Sequence, residues 1–177
     1  MRLFKIRCSA IGQIMSNAKV KGELSAGCKT YLENWYANDN EQIHSKYFDK
    51  GNMVEVECID LMASVLDKGI AFKNDEFKED DYFTGTCDVQ FDDTIVDVKS
   101  VWNRKGLHAA CDGLDKDYEW QLRGYMNLYN KPKAILFYGL CDTPEECNFG
   151  TEVIYSDMPI EQRWIAYNIE SDSQLVQ

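Results

Sequence analysis

The apolar and polar positions of this chain fall into two periods, and the period changes midway. The first part reads as helical. Ser9 is expected to cap a short helix through Met15, and Ser25 a second one, AGCKTYLENWYAND, ending near Asn40. A stronger helical pattern starts near Lys50 and runs to about Lys68, before Gly69. The pattern then becomes two-fold. YFTGTCDVQF and TIVDVKSVW flank Asp92 and Asp93, which predicts a hairpin with a tight polar turn. Residues 103–116 read as a loop and DYEWQLRGYMNLYN (117–130) as a helix. KAILFYGLC reads as a buried strand, TEVIYSD as another, and Pro159 to about Ile169 as a closing helix. This order predicts an α/β (α+β) fold with a mixed central β-sheet flanked by helices.

Three positions break the pattern in ways that matter chemically. On a helix over 50–68, Glu57, Asp60, Ser64 and Asp67 form the solvent stripe. Glu55 lies opposite, among Cys58, Ile59, Met62 and Leu66. A carboxylate on an apolar face is costly unless it is paired or binds a metal, although acids also favour a first helical turn. In the hairpin, a two-residue turn places Val89 opposite Val96, Gln90 opposite Ile95, Asp88 opposite Asp97, and Thr86 opposite Lys99. Opposed carboxylates destabilise a strand pair, and a bound cation relieves them. A solvated polar face is the other reading, but Ile95 shares this face. In the helix 117–130, Gln121 and Tyr125 lie one turn apart within the apolar stripe of Tyr118, Leu122, Tyr125, Leu128 and Tyr129. They present two polar tips, or else are ordinary core residues. Glu119 and Arg123 are expected to form a surface ion pair.

Composition narrows the classes. The length of 177 residues suits one domain, spanning 1–177, and 45% apolar residues can build a core. No apolar run is long enough for a membrane span, and the first residues lack the continuous apolar stretch of a secretion signal. Seven cysteines are scattered without a CxxC pair, which suits free thiols in a reducing cytoplasm. The net charge of −11 argues against a basic nucleic-acid coat protein. That charge is segregated, however. Residues 1–22 hold Arg2, Lys5, Arg7, Lys19 and Lys21 and no acid, and residues 98–111 hold Lys99, Arg104 and Lys105 and no acid. His44 and His108 lack partner spacing for a metal site.

Taken in order, the motifs are Gly51-x-x-x-Glu55, Gly85-x-x-Asp88, Asp97-Val98-Lys99 and Gln121-x-x-x-Tyr125. This series resembles the PD-(D/E)XK nuclease superfamily. Within it, the spacing is most similar to the lambda-exonuclease or YqaJ-type (RecB-like) viral recombination exonucleases, over about residues 7–130. One departure is Asp97, where such enzymes commonly carry Glu. The resemblance implies a restriction-endonuclease-like core and a metal-dependent DNA exonuclease acting 5′→3′ on linear double-stranded DNA. It implies Mg²⁺, with Mn²⁺ as a substitute, held by Glu55, Asp88, Asp97 and the Val98 carbonyl. Lys99 would orient or deprotonate water, and Gln121 and Tyr125 would position Lys99, the water or the DNA. Arg7 and Ser9 resemble a segment that contacts the DNA end.

Other roles are expectations of the same kind. Trp102 could stack on a base or pack in the core, and Arg104 and Lys105 are candidate phosphate contacts. Double-stranded DNA ends, a single-strand annealing protein and a trimeric assembly are the partners that the resemblance implies, in the host cytoplasm if the protein is viral. No iron–sulfur cluster is expected, because only Cys141 and Cys147 are close and late. A structure-specific or repair endonuclease of the same superfamily is the alternative enzyme. A non-catalytic acidic DNA mimic is the alternative outside enzymes.

Overall fold

The structure, a computed structural model, describes residues 4–37 and 45–171. Arg2, His44 and the expected helix end near Asn40 lie outside the described residues. In chain order, β1 (Ile6–Arg7) leads through a 3₁₀ turn into α1 (Ile11–Met15), followed by α2 (Ala26–Ala37), α3 (Lys46–Met53) and α4 (Glu55–Val65). Then come β2 (Lys78–Glu79), β3 (Phe83–Gly85), β4 (Val89–Gln90) and β5 (Thr94–Ser100). The remainder is α5 (Arg104–Ala110), α6 (Lys116–Tyr129), β6 (Lys133–Gly139) and β7 (Trp164–Glu170).

The larger sheet has the strand order β4-β5-β6-β7. The β4–β5 hairpin turns at Asp92 and Asp93, with the Phe91 N–H donating to the Thr94 carbonyl at 2.7 Å. Its register pairs Val89 with Val96 and Gln90 with Ile95, as the alternation predicts. β5 and β6 run parallel, with α5 and α6 as the crossover between them. β7 closes the sheet antiparallel to β6. A smaller sheet, β1-β3-β2, holds the N-terminal segment.

Two apolar clusters sandwich the larger sheet. On one face Ile95, Ala134, Leu136 and Tyr138 meet Leu122, Tyr125, Met126 and Tyr129 of α6. On the other, Val89, Val96, Val98, Ile135 and Phe137 meet Cys58, Ile59 and Met62 of α4. The mixed sheet flanked by helices is therefore as expected. Several elements differ. Ser9 lies inside the 3₁₀ turn and caps nothing, because α1 starts only at Ile11. Ser25 does accept the Cys28 N–H at 3.0 Å. The long helix is two helices broken at Val54, the first capped by Ser45 accepting from Phe48. The expected loop contains α5, capped by the Asn103 side chain on Gly106. TEVIYSD makes a single bridge, Thr143 to Val153, and no strand. The expected closing helix is only a 3₁₀ turn followed by β7. There Ile165, Tyr167 and Ile169 pack on the α6 side and Trp164 and Ala166 on the α4 side, a two-fold alternation that overrides the helical start signal of Pro159.

The seven cysteines are free. Among the described residues, no helix is long and apolar enough to cross a membrane.

Candidate active site

Asp97 and Lys99 share the face of β5 that carries Ile95, so both project toward α6. Asp97 is 1% exposed. Its Oδ1 accepts from Gln121 Nε2 at 2.8 Å, and its Oδ2 lies 2.5 Å from Lys99 Nζ. That Oδ2 is buried, and the Lys99 ammonium is the charge it faces. Lys99 Nζ also lies 5.0 Å from the centre of the Tyr118 ring. Burial works against the Lys99 charge, but Asp97 and then Asp88 outweigh it and hold the ammonium above its usual range. Gln121 is buried, and it bridges Asp97 to the buried Tyr125 hydroxyl. Burial raises the pKa of that hydroxyl, while the Gln121 hydrogen bond opposes the rise. The helix period thus places both polar tips against β5, and the Glu119–Arg123 ion pair forms on the outer surface at 2.8 Å.

Asp88 occupies the place where β4 has already left the ladder. Instead of facing Asp97 across paired backbone, its Oδ2 accepts the Val98 N–H at 2.8 Å. The chain at 86–88 is irregular, and Cys87 turns to the α6 side rather than joining Val98 as strict alternation would require. Burial, and then the Asp97 charge, push the Asp88 carboxyl up to about 7. Glu55 adds to the same push from α4, which covers the opposite face of the sheet. Asp88 therefore stands at the sheet edge between the two. Glu55 opens α4, is half-buried, and is ion-paired with Lys73. Lys73 was not anticipated; it follows the helix in an irregular stretch that periodicity does not read.

The remaining expected residues sit apart from this cluster. Arg7 and Ser9 are exposed on the N-terminal strand and turn, where Arg7 pairs with Thr84 beside β3. Trp102 leaves the end of β5 and packs edge-on to Tyr47 of α3 at 5.2 Å. Arg104 and Lys105 are exposed in the first turn of α5, with Arg104 Nε on Met158 Sδ at 3.3 Å.

Among the described residues, no three His, Cys, Asp or Glu side chains converge on one point. Each carboxylate of the expected metal set is engaged by a protein partner: Glu55 by Lys73, Asp88 by Val98, Asp97 by Gln121 and Lys99. The donor chemistry nevertheless fits a hard cation. Asp97 Oδ2 is a buried carboxylate oxygen already paired with a cation, and Asp88 suffers from a like charge that a dication would relieve.

A stability test follows directly from Asp88. Its folded pKa is raised above the unfolded value, so its contribution is fully present below that unfolded value and is lost as the pH rises through about 7. In chelator, Asp88→Asn is expected to be more stable than the parent at pH 8, by about 2 kcal/mol, with the gap closing toward pH 5. Urea melts at the two pH values measure it, and a gap that widens on acidification would contradict the assignment.

No family model matches the chain, and no curated protein matches it. Solved structures do. A phage-related exonuclease from Haemophilus somnus 129PT superposes with a TM-score of 0.83 at 25% identity, covering 97% of this chain and 86% of that one. An alkaline exonuclease (LHK-Exo) from Laribacter hongkongensis gives 0.67 at 14% identity, covering 97% of this chain and 79% of that one. The same enzyme in complex with dAMP gives 0.64 at 13% identity, over 96% and 79%. The core is thus the PD-(D/E)XK restriction-endonuclease-like fold. The chain is distantly related in structure to phage-related and alkaline exonucleases, which supports a nuclease-type function.

Proposed function

We propose that this protein is a metal-dependent exonuclease that hydrolyses linear double-stranded DNA, 5′→3′, in phage-type recombination or DNA processing. The observation that carries the reading is the Asp97–Lys99–Gln121 constellation, with Asp88 beside it, on the core of a nuclease fold. The residues proposed to hold Mg²⁺ or Mn²⁺ are Asp88, Asp97 and the Val98 carbonyl, with Glu55 contributing after release of Lys73. When bound, such an ion supplies Lewis-acid stabilisation of phosphate charge and an activated water.

The chain's own groups do the rest. Lys99, kept protonated by two carboxylates, steadies negative charge developing on the phosphate and orients the attacking water. Gln121 fixes one oxygen of Asp97, so the other keeps a constant direction. Tyr125 backs Gln121 from the core. Arg7, Ser9, Trp102, Arg104 and Lys105 are proposed to contact DNA outside the centre. A trimer and a single-strand annealing protein remain partners suggested by resemblance alone.

The decisive experiment digests duplex labelled at either 5′ or 3′ ends, with Mg²⁺ or Mn²⁺. The 5′ label should be released first while the 3′ label persists, and a duplex with blocked ends should be spared. Early loss of the 3′ label overturns the polarity. Equal cutting of the blocked duplex favours the endonuclease alternative. No metal-dependent cleavage at all removes the nuclease reading.

A further inference from the structure

Lys50 is a charged side chain in an unusual place. It is 1% exposed, in α3, and no carboxylate lies within ion-pair distance of it among the described residues. Its ammonium instead donates to oxygens from two strand exits. These are the carbonyls of Val101 at 3.0 Å, Trp102 at 3.3 Å and Cys141 at 2.8 Å, and Thr143 Oγ1 at 2.8 Å. Three N–H groups thus serve four acceptors. The Trp102 and Tyr155 rings lie over the same nitrogen at 5.8 and 5.4 Å. Burial depresses the Lys50 pKa, so the charge is held at a cost. Desolvating a lone ammonium costs several kcal/mol, offset here by the four oxygens it serves, which an apolar side chain would leave without a donor. What the ammonium supplies is a fixed geometry among those oxygens.

That geometry links the proposed site at both ends. Val101 follows Lys99 with only Ser100 between them, so the clamp fixes the exit of the strand that carries Asp97 and Lys99. The Lys50 carbonyl accepts the Val54 N–H at 3.0 Å, at the helix break just before Glu55. Lys46, one turn earlier, places its own Nζ 4.8 Å from the Trp102 ring.

We propose that Lys50 is a positioning residue for the proposed nuclease centre, acting through the backbone of Val101 and Trp102. The inference rests on the reading above for its rate effect, but not for its structural effect. Loss of the clamp lets the end of β5 and the Trp102 indole shift. A displacement of about an ångström at a reacting group can cost up to about 100-fold in rate.

The test replaces Lys50→Met, which keeps length but removes every donor. The protein is labelled with 5-fluorotryptophan, and the Trp102 resonance is assigned with Trp102→Phe. In folded protein at low temperature, the Trp102 fluorine signal should move while those of Trp35, Trp120 and Trp164 stay. On labelled duplex, kcat should fall at least about tenfold with KM changed less than about threefold. General loosening of the fold would move all the tryptophan signals together. Thr143→Val, which removes one acceptor, should move the Trp102 signal in the same direction with a loss of about threefold in kcat, and it serves if Lys50→Met does not fold. An unmoved Trp102 signal, or parental kcat in a folded variant, overturns the proposal. If the parent protein cuts no DNA with metal, the nuclease reading fails, and the fluorine signal alone decides whether the clamp exists.

Discussion

Lys99→Ala should reduce metal-dependent DNA hydrolysis by on the order of 10³-fold while the protein stays folded. The expectation rests on where Lys99 stands. Its side chain is 27% exposed, its ammonium touches the buried Asp97 carboxylate, and its charge is held by Asp97 and Asp88 together. It is the cation of the cluster that can face both solvent and the carboxylates. Truncation leaves the buried Asp97 carboxylate with Gln121 but without its cation, beside Asp88. The cost to the fold should therefore be about 3 kcal/mol, less whatever water entering the vacated position returns. Initial rates on end-labelled duplex, with a urea melt of the same preparation, separate the two effects. A folded variant cutting at the parental rate would refute the role given to Lys99.

Asp97→Asn carries the larger combined effect. The amide can still accept from Gln121, but its own N–H groups then face the Lys99 ammonium. The buried ion pair becomes a donor set against a cation, which costs about 3 kcal/mol. Asp88 loses the like charge that adds to the effect of burial, so its pKa should fall while burial still holds it above the ordinary range. Metal-dependent turnover should drop by on the order of 10²-fold or more, because a proposed ligand and the anchor of Lys99 are lost together. Calorimetric titration with Mn²⁺ should show weaker binding than in the parent. Unchanged Mn²⁺ affinity would remove Asp97 from the metal set.

Much of this cluster was legible because short-range rules govern it. A two-residue turn fixes a register, so Val89 opposite Val96 could be read from Asp92 and Asp93 alone. Helical spacing put Gln121 and Tyr125 on the core side. Asp88 departs from the expected pairing because alternation assumes a ladder, and the ladder stops at Val89. Glu55 was placed on the inner side of its helix, but Lys73 lies in a stretch without period. By its pattern Lys50 reads as the start of a helix. The available signal was its phase with Val54 and Cys58 at successive i+4 steps, which puts it on the apolar stripe. A lysine is read as a surface residue by default, and only tertiary contacts reveal four acceptors waiting for it. β7 was lost to Pro159, although its own two-fold alternation was present.

The parallel β5–β6 pair has a consequence for how the centre is assembled. Asp97 and Lys99 lie on the first strand of a strand–helix–strand unit, and Gln121 and Tyr125 lie in its connecting helix. The innermost part of the centre therefore belongs to one supersecondary module and arises when that module condenses. Glu55 and Asp88 are brought in from separate segments, Glu55 at the first turn of α4 and Asp88 just ahead of the two-residue strand β4. Partial opening of the protein should shed those outer acids first and leave the Asp97–Gln121 contact standing as the last ordered remnant.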